Sequence, residues 1–411
     1  MKKVQPMTSV ADAAARPFCD TRGVNPPLDL SATFKVPDSD DFGRWFMGKD
    51  GVPEGSYLYA RQSHPAAMHL GQMVAALEGA EAGHVTASGL SACGAALLRY
   101  AGAGDTLVLS NRLYGGMRAL SNFFTEHLHI KVIPVEITDI EKVKRACSGK
   151  RVRALFTEVA SNPDLVVADL SQLALVAHAR GIPLIVDNTF TPLAIRPIAL
   201  GADVVVHSLT KYASGTSKVM AGALVGKRDV IRSMIHPTTG VLMLLGPVLA
   251  PEVADKLREH LPSLQLRFIE ASRRAHLAAT SLERSGFSVC YPGLPTSPGY
   301  DCFVRMETMR PGDLSYGKGG VLSVVLPSYA DAKRFTELLV QTHFAQQAVS
   351  LGSSHTYVLP YGSDDTFSPL WKKPLPFAPL PQGIIRISMG YEGEWADMNE
   401  RLADACLQFG K

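Results

Sequence analysis

Residues 204–215 read VVVHSLTKYASG, and they follow a comparable segment, LIVDNTFTPL, at residues 184–193. Each segment begins with a short apolar run and then changes abruptly to polar residues. Such runs are typical of strands that are buried on both faces of a parallel sheet. In open α/β sheets, ligands bind at the carboxyl ends of the strands. The two segments therefore predict an α/β fold with Asp187 and Lys211 at its binding edge.

The same apolar pattern recurs along the first part of the chain, where it alternates with helical stretches. This alternation predicts a mainly parallel sheet covered by helices. From about residue 251 the pattern changes to one or two long helices that end in glycine, followed by strands of a different sheet. The predicted strands are GDTLVLS (104–110), IKVIPVE (130–136), VRALFTEV (152–159), IPLIVDN (182–188) and ADVVVHS (202–208), followed by GVLSVVLP (320–327) and GIIRISMGYE (383–392).

Three segments follow from these patterns. Residues 1–62 are rich in proline and glycine with little periodicity, so we expect an extended N-terminal arm. Residues 63–255 are predicted to form a large α/β domain, and residues 256–411 a smaller C-terminal α+β domain.

Composition excludes several classes of protein. The chain has 411 residues, 46% of them apolar and 19% charged, with a net charge of +3 and no basic cluster, which disfavours nucleic acid binding. The longest apolar run, GVLMLLGPVLAP (240–251), is too short to span a membrane. The start of the chain lacks the apolar core of a signal peptide, so we expect a cytoplasmic protein. The six cysteines form no C-x-x-C pair, which disfavours a zinc site and a disulfide framework, and no metal is expected.

Two groups of residues at the predicted sheet edge are candidates for binding a charged ligand. Ser88 and Gly89 directly precede a helix, whose N-terminus attracts anions, although a capping serine before any helix looks the same. Asp187 ends a buried strand and needs a cationic or N–H partner, which a protonated pyridine nitrogen would supply. Its alternative role is a turn cap.

Lys211 is the third candidate. It follows Ser208 and Thr210, whose hydroxyl groups could bind the same phosphate as the Ser88-Gly89 segment. Burial and nearby cations would lower its pKa, as an imine-forming lysine requires. Most lysines are instead solvated surface charges.

Together these residues resemble the Cys/Met metabolism family of pyridoxal-phosphate (PLP) enzymes, which have PLP-dependent fold type I. The resemblance covers essentially the whole chain. Its most specific part is the pair DNTFTPL and HSLTKY, and it rests on the ordered motifs YARQSHP, SGLSA, LYGG, EVASNP, VDNTFTPL, GADVVVHSLTKY, SLG and RISMGYE.

The resemblance implies a role for each matching residue. Lys211 would carry the cofactor and move protons, Asp187 would hold the pyridine nitrogen protonated, and Tyr114 would stack on the ring and assist proton transfer. The cofactor phosphate would be bound by Ser88, Gly89, Leu90, Ser208 and Thr210.

Further roles come from the same resemblance. Asn162 would reach the phenolic oxygen of the cofactor, and Arg386 with Ser350 would bind the substrate α-carboxylate. Tyr59 and Arg61 would reach the phosphate from the neighbouring subunit, which implies a homodimer or homotetramer with shared active sites.

The chain departs from the family pattern beside these motifs. His64-Pro65-Ala66 stands where the family has Asn-Pro-Thr, and Gly215-Thr216-Ser217-Lys218 where it has Gly-His-x-Asp. Ser353-Ser354-His355-Thr356 replaces Gly-x-Glu-Ser, within an altered segment at 353–381 that normally faces the substrate side chain.

The first hypothesis for function is γ-replacement on an O-activated homoserine by a thiol or another nucleophile. Gly116 supports it, because methionine γ-lyases tend to have cysteine there. The alternatives are a β- or γ-lyase acting on a sulfur-containing amino acid such as cystathionine or methionine, and a catalytically silent PLP-binding protein.

Overall fold

The computed structural model describes residues 5–15, 25–47, 51–308, 317–362 and 374–410. Helices and strands alternate through most of these ranges, as the sequence predicts. The helices are α1 (Pro6–Ala14), α2 (Ser39–Met47), α3 (Pro65–Glu78), α4 (Gly89–Leu98), α5 (Gly115–His127), α6 (Ile140–Cys147), α7 (Leu170–His178), α8 (Arg228–Met234), α9 (Val241–Leu245), α10 (Pro251–His260), α11 (Leu264–Arg284), α12 (Tyr300–Met306), α13 (Tyr329–Gln341) and α14 (Trp395–Phe409).

The larger sheet has seven strands in the order β1-β7-β6-β5-β4-β2-β3. Strands β2 to β6 pair in parallel, and β7 runs antiparallel to both of its neighbours. The five strands predicted from the first part of the sequence are all present. The bounds are β1 (Ala82–Thr86), β2 (Thr106–Ser110), β3 (Lys131–Val135), β4 (Val152–Glu158), β5 (Leu184–Asp187), β6 (Val204–Ser208) and β7 (Gly222–Gly226).

The smaller sheet has five strands in the order β10-β11-β12-β9-β8 and is mostly antiparallel. Its bounds are β8 (Ser288–Cys290), β9 (Val321–Leu326), β10 (Gln346–Gln347), β11 (Tyr357–Gly362) and β12 (Gly383–Ser388). An α/β fold with a mainly parallel sheet and a smaller C-terminal α+β part is thus confirmed.

Helices cover both faces of the larger sheet because its strands are apolar on both sides. On β6, Val205 belongs to one buried cluster, and Val204 and Val206 belong to another on the opposite face. Leaving such strands uncovered would expose apolar surface to water, at a free-energy cost of about 25 cal/mol per Å² of that surface. Continuous burial of this kind explains why the strands read as unbroken apolar runs.

Within residues 1–62 the structure differs from an extended arm at α1. Proline at the first position favours helix initiation, and Pro6, Val10 and Ala13 fall on one face at helical spacing. Val10 is fully buried, and α1 packs against α3, where His69 Nε2 lies 3.1 Å from the carbonyl of Ala13. A second helix of the same length, α2, also lies within this segment, and the low periodicity of the whole segment hid both.

The described ranges give information on membrane-spanning helices and on the state of the cysteines. Within them, no helix is both long and apolar enough to cross a bilayer. The cysteines of the same ranges are all free thiols. Cys19, Trp371 and Lys372 lie outside the described residues.

Candidate active site

Lys211 lies in the turn after β6, and its side chain reaches the segment between β10 and β11. Its Nζ atom donates a hydrogen bond of 2.7 Å to Ser350 Oγ. Burial, together with the nearby charge of Arg386, lowers the pKa of Lys211 to about 8. At pH 7 the neutral fraction of this amine is then roughly two orders of magnitude higher than for an ordinary lysine. The amine is therefore suited to act as a nucleophile or a base near neutral pH.

Arg386 lies on β12 beside this amine, with only 4% of its surface exposed. Its Nη2 donates to the carbonyl of Ser350 at 2.7 Å, and its Nη1 donates to Asn162 Oδ1 at 3.2 Å. Its buried Nε has no hydrogen-bond partner among the described residues. A buried guanidinium with a free N–H group is complementary to an anion such as a carboxylate.

Ser350 connects the two basic side chains. Its φ of +91° lies in the left-handed region, which is uncommon for a residue other than glycine and is often found at functional sites. This conformation presents its hydroxyl group to Lys211 and its carbonyl to Arg386. The Gly352 amide donates to Ser388 Oγ at 3.1 Å, which fixes the same loop against the end of β12.

Asp187 ends β5 on the face covered by α4. Its Oδ1 accepts the Thr189 amide at 2.8 Å, and the Cys93 thiol lies 3.8 Å from its Oδ2. Burial raises the pKa of this carboxyl above its usual value. Neither contact supplies the positive charge that would best stabilise the carboxylate, so a cationic ligand fits here.

The predicted phosphate site begins at α4. Ser88 caps this helix in a capping box with Ser91, so its hydroxyl group is engaged within the protein. A Cβ atom on Gly89 would lie 2.7 Å from the Ser208 Cβ, so only glycine allows α4 to approach β6 this closely. The N-terminal N–H groups of a helix have no intrahelical partners, and those of Gly89 and Leu90 are thus placed beside Ser208.

Thr210, which is also predicted to bind the phosphate, has hydrogen bonds within the protein. Its hydroxyl group exchanges hydrogen bonds with Ala221, accepting from the amide at 3.0 Å and donating to the carbonyl at 3.2 Å. These bonds join the turn that carries Lys211 to the residue before β7. In this structure the threonine hydroxyl therefore stabilises the turn.

Tyr114 begins α5 and leaves about half of its side chain exposed. Its backbone amide donates a hydrogen bond of 2.7 Å to Glu158 Oε1, at the end of β4. Glu158 is not among the site residues predicted from the sequence, although the motif EVASNP contains it. A glutamate at a strand end is common, and its partner is 44 residues away in the sequence.

Tyr59 and Arg61 lie together beside α9. The Arg61 guanidinium is 5.7 Å from the Tyr59 ring centroid and donates to the carbonyl of Met243 at 3.1 Å. Within the described ranges, the structure gives neither residue a contact with Lys211, Asp187 or Arg386. The structure therefore separates this pair from the other predicted site residues of the same chain.

Two departures from the family pattern meet in space. Ser217, in the turn after Lys211, lies 3.3 Å from the Tyr357 hydroxyl, and this hydroxyl lies 3.3 Å from Ser353 Oγ. The two altered segments are more than 130 residues apart in the sequence, and the Tyr357 hydroxyl joins them.

The residues present fit a pyridoxal phosphate. A partly neutral lysine, a partly buried carboxyl with no cationic side chain in hydrogen-bond contact and a glycine-lined helix N-terminus match its aldehyde, its pyridine nitrogen and its phosphate, respectively. The buried free N–H of Arg386 matches the carboxylate of an amino-acid substrate.

Comparisons with known proteins agree with this fit. The profile described as Cys/Met metabolism PLP-dependent enzyme matches residues 7–406. The chain is 38% identical over 378 residues to a methionine gamma-lyase of Arabidopsis thaliana, covering 92% of this chain and 84% of the relative. It is 30% identical over 351 residues to an O-succinylhomoserine sulfhydrylase of Pseudomonas aeruginosa, covering 84% and 82% respectively.

Solved structures give the same result. A protein of Campylobacter jejuni, described as an O-acetylhomoserine (thiol)-lyase with N'-pyridoxyl-lysine-5'-monophosphate, has a TM-score of 0.86 and 26% identity, covering 98% of this chain and all of that one. Cystathionine gamma synthase from Xanthomonas oryzae, in complex with aminoacrylate and cysteine, has a TM-score of 0.82 and 26% identity, covering 100% and 99%.

The fold and the site thus define a PLP-dependent enzyme of fold type I. The chain belongs to the Cys/Met metabolism PLP-dependent enzyme family. The predicted cofactor, fold and family are confirmed. The predicted γ-replacement or lyase chemistry is confirmed at the level of the family, since the named relatives include enzymes of both kinds.

Proposed function

We propose that this enzyme cleaves the bond between the γ-carbon and the heteroatom of an L-amino acid, with a thioether of the methionine type as its first candidate substrate. The geometric observation that supports an amino acid is the hydrogen-bonded series from Lys211 through Ser350 to Arg386. The thioether is favoured by 38% identity to a methionine gamma-lyase. Gly116 favours γ-replacement, so the two reactions have to be distinguished by experiment.

The second candidate is γ-replacement on an O-activated homoserine. It is favoured by the likeness of the whole fold to an O-acetylhomoserine (thiol)-lyase and to a cystathionine gamma synthase. The same residues serve both reactions, and the outcome depends on whether water or another nucleophile reaches the site.

The residues of the chain divide the work as follows. Pyridoxal phosphate, when bound, withdraws electrons from the bonds broken at the α- and β-carbons of the substrate. Arg386 binds the α-carboxylate and orients the α-hydrogen toward Lys211. Lys211, whose pKa is about 8, removes this proton and moves a second one from the β-carbon. Asp187 holds the proton on the pyridine nitrogen, and Tyr114 delivers a proton to the departing group.

A substrate screen tests the proposal. The purified holoenzyme is supplied with methionine, cystathionine, cysteine, O-acetylhomoserine and O-succinylhomoserine, and release of keto acid and thiol is measured. Release of α-ketobutyrate and methanethiol from methionine supports the first candidate. Keto acid from an acylhomoserine that falls when a thiol is added supports the second. No turnover of any of these compounds by protein with bound cofactor would contradict both.

Replacing Arg386 by lysine should raise KM about 10- to 100-fold and change kcat much less. Lysine keeps the charge but cannot make two parallel hydrogen bonds to a carboxylate, and one charge-assisted hydrogen bond contributes about 1.5–3 kcal/mol. KM and kcat are measured for the best substrate of the screen. Arg305→Lys, at an exposed position, is the matched control. An unchanged KM for Arg386→Lys would exclude this contact.

The distance of Tyr59 and Arg61 from the other site residues supports an active site shared between two subunits. In this proposal, a homodimer or homotetramer brings the partner's pair to the phosphate of each site. The exposed apolar side chains of Leu244 and Leu245, on the neighbouring α9, are a surface that a second copy would cover.

Mixing Arg61→Ala protein with Lys211→Ala protein should therefore restore activity. Random exchange makes half of the dimers hybrids with one intact site, so recovery should approach about a quarter of the wild-type rate. A mixture of Lys211→Ala and Asp187→Asn proteins is the control, because each hybrid site then carries one defect. Equal activity of the two mixtures after subunit exchange would refute the shared site.

The proposal also includes the division of the chain into three segments and the location of the protein in the cell. The segments are an N-terminal segment (1–62), a PLP-binding domain (63–255) and a C-terminal domain (256–411), and the separation of the two sheets supports this division. A cytoplasmic location is supported by the metabolic relatives.

A further inference from the structure

Two carboxyl groups lie side by side at the carboxyl ends of β4 and β5. Glu158 and Asp187 are directly opposite each other in the parallel register, so their side chains point to the same face of the sheet. Glu158 is 8% exposed, and Asp187 is partly buried. Asp187 has a role in the proposed reaction, whereas Glu158 has none.

The carboxyl of Glu158 is bonded to another residue of the candidate site. Its Oε1 accepts the backbone N–H of Tyr114 at 2.7 Å. Tyr114 is about half exposed, so side-chain packing leaves its ring partly unsupported. The bond from its backbone to Glu158 therefore helps to fix the point from which the ring extends.

The two carboxyl groups differ in how their negative charge is stabilised. Burial, and next the charge of Asp187, raise the pKa of Glu158 well above its usual value, although the hydrogen bond from the Tyr114 amide acts in the opposite direction. On Asp187, the hydrogen bonds from Thr189 and the charge of His207 oppose the effect of burial. Two carboxyl groups that lie side by side in a buried site do not both ionise. The proton resides on the carboxyl whose negative charge is less well stabilised.

We propose that Glu158 is a neutral positioning residue that anchors the backbone of Tyr114, so that Asp187 carries the negative charge that faces the pyridine nitrogen. A charged Glu158 would compete with Asp187 for the single cation of the ligand. A neutral Glu158 keeps its acceptor oxygen for the Tyr114 amide. This inference depends on the binding of pyridoxal phosphate at this site and does not depend on which substrate the enzyme uses.

Binding of pyridoxal phosphate to the cofactor-free protein separates anchoring from charge. Glu158→Gln keeps an acceptor oxygen and is neutral, so its Kd at pH 7 should stay within about threefold of the wild-type value. Glu158→Met has similar size and no acceptor at this position, and the Tyr114 amide left without its partner should weaken binding roughly 10- to 100-fold. Asp187→Asn shows how much the Kd changes when the charge at Asp187 is removed. Glu141→Gln, at an exposed position on α6, is the control.

Thermal unfolding of the same variants tests the proton on Glu158. A carboxyl with a raised pKa in the folded state contributes most below its unfolded pKa of about 4.3, and its contribution falls as pH rises. Glutamine does not titrate, so the Tm of Glu158→Gln minus that of the wild type should increase from pH 5 to pH 8. A constant difference, or a loss of cofactor binding in Glu158→Gln as large as in Asp187→Asn, would overturn the proposal. Wild-type affinity in a folded Glu158→Met protein would overturn the anchoring.

Discussion

Lys211→Ala protein is expected to lose the visible absorbance of covalently held cofactor and at least about 10³-fold of its kcat. Nζ of Lys211 is the amine with a pKa of about 8 at the predicted cofactor site, and it is held by Ser350 at 2.7 Å. Loss of this side chain removes both the covalent attachment and the base, and general acid–base catalysis alone contributes about 10²- to 10⁴-fold. The absorbance spectrum and kcat are measured on the same preparation.

The control for this experiment is Lys227→Ala, which removes an exposed lysine before α8. Its spectrum and kcat should match the wild-type values. A visible band in Lys211→Ala that survives gel filtration, and that borohydride abolishes while the cofactor stays attached to the protein, would show that another amine holds the cofactor. Loss of activity with an unchanged band would restrict Lys211 to proton transfer.

Asp187→Asn should lower kcat about 10²- to 10³-fold while the protein remains folded. Asparagine has nearly the same shape but no charge, so it cannot stabilise a positive charge on the pyridine nitrogen, and loss of one buried electrostatic contact in a catalytic site has this magnitude. The Thr189 amide that now donates to Oδ1 can still donate to an amide oxygen. Circular dichroism and kcat together distinguish a chemical loss from unfolding.

Asp187→Glu and Asp229→Asn complete this test. Glutamate restores the charge at a different distance, so it should recover part of the lost kcat. Asp229 lies in the first turn of α8, and its asparagine variant should behave as the wild type. An Asp187→Asn enzyme with wild-type kcat would exclude a charged partner for the pyridine nitrogen.

The strands of the larger sheet were predictable where burial makes them continuously apolar. Strand β7 was missed, because its sequence GALVG is short, begins and ends with glycine and resembles a turn as much as a strand. It forms because β1 and β6 lie on either side and satisfy its backbone groups. A strand of this kind depends on its neighbours more than on its own residues.

Helix α1 illustrates the opposite difficulty. Its three buried residues have helical spacing, but the segment is only nine residues long and is followed by proline- and glycine-rich sequence. A helix this short is marginal in water and is stabilised mainly by packing. Its existence therefore depends on the surface of α3, which lies about fifty residues further along the chain.

The sequence by itself determined the α/β class and the family, and it predicted the lysine, aspartate and arginine of the candidate site. Those features are local, because a buried strand and the polar residues at its end are adjacent in the chain. Only the tertiary structure decided which groups meet there. It joined Lys211 to Arg386 through Ser350, placed Glu158 beside Asp187 and under Tyr114, and separated Arg61 from all of them. Hydrogen bonds and burial between residues far apart in sequence have no local signature, and they set the pKa values and positions on which the chemistry depends.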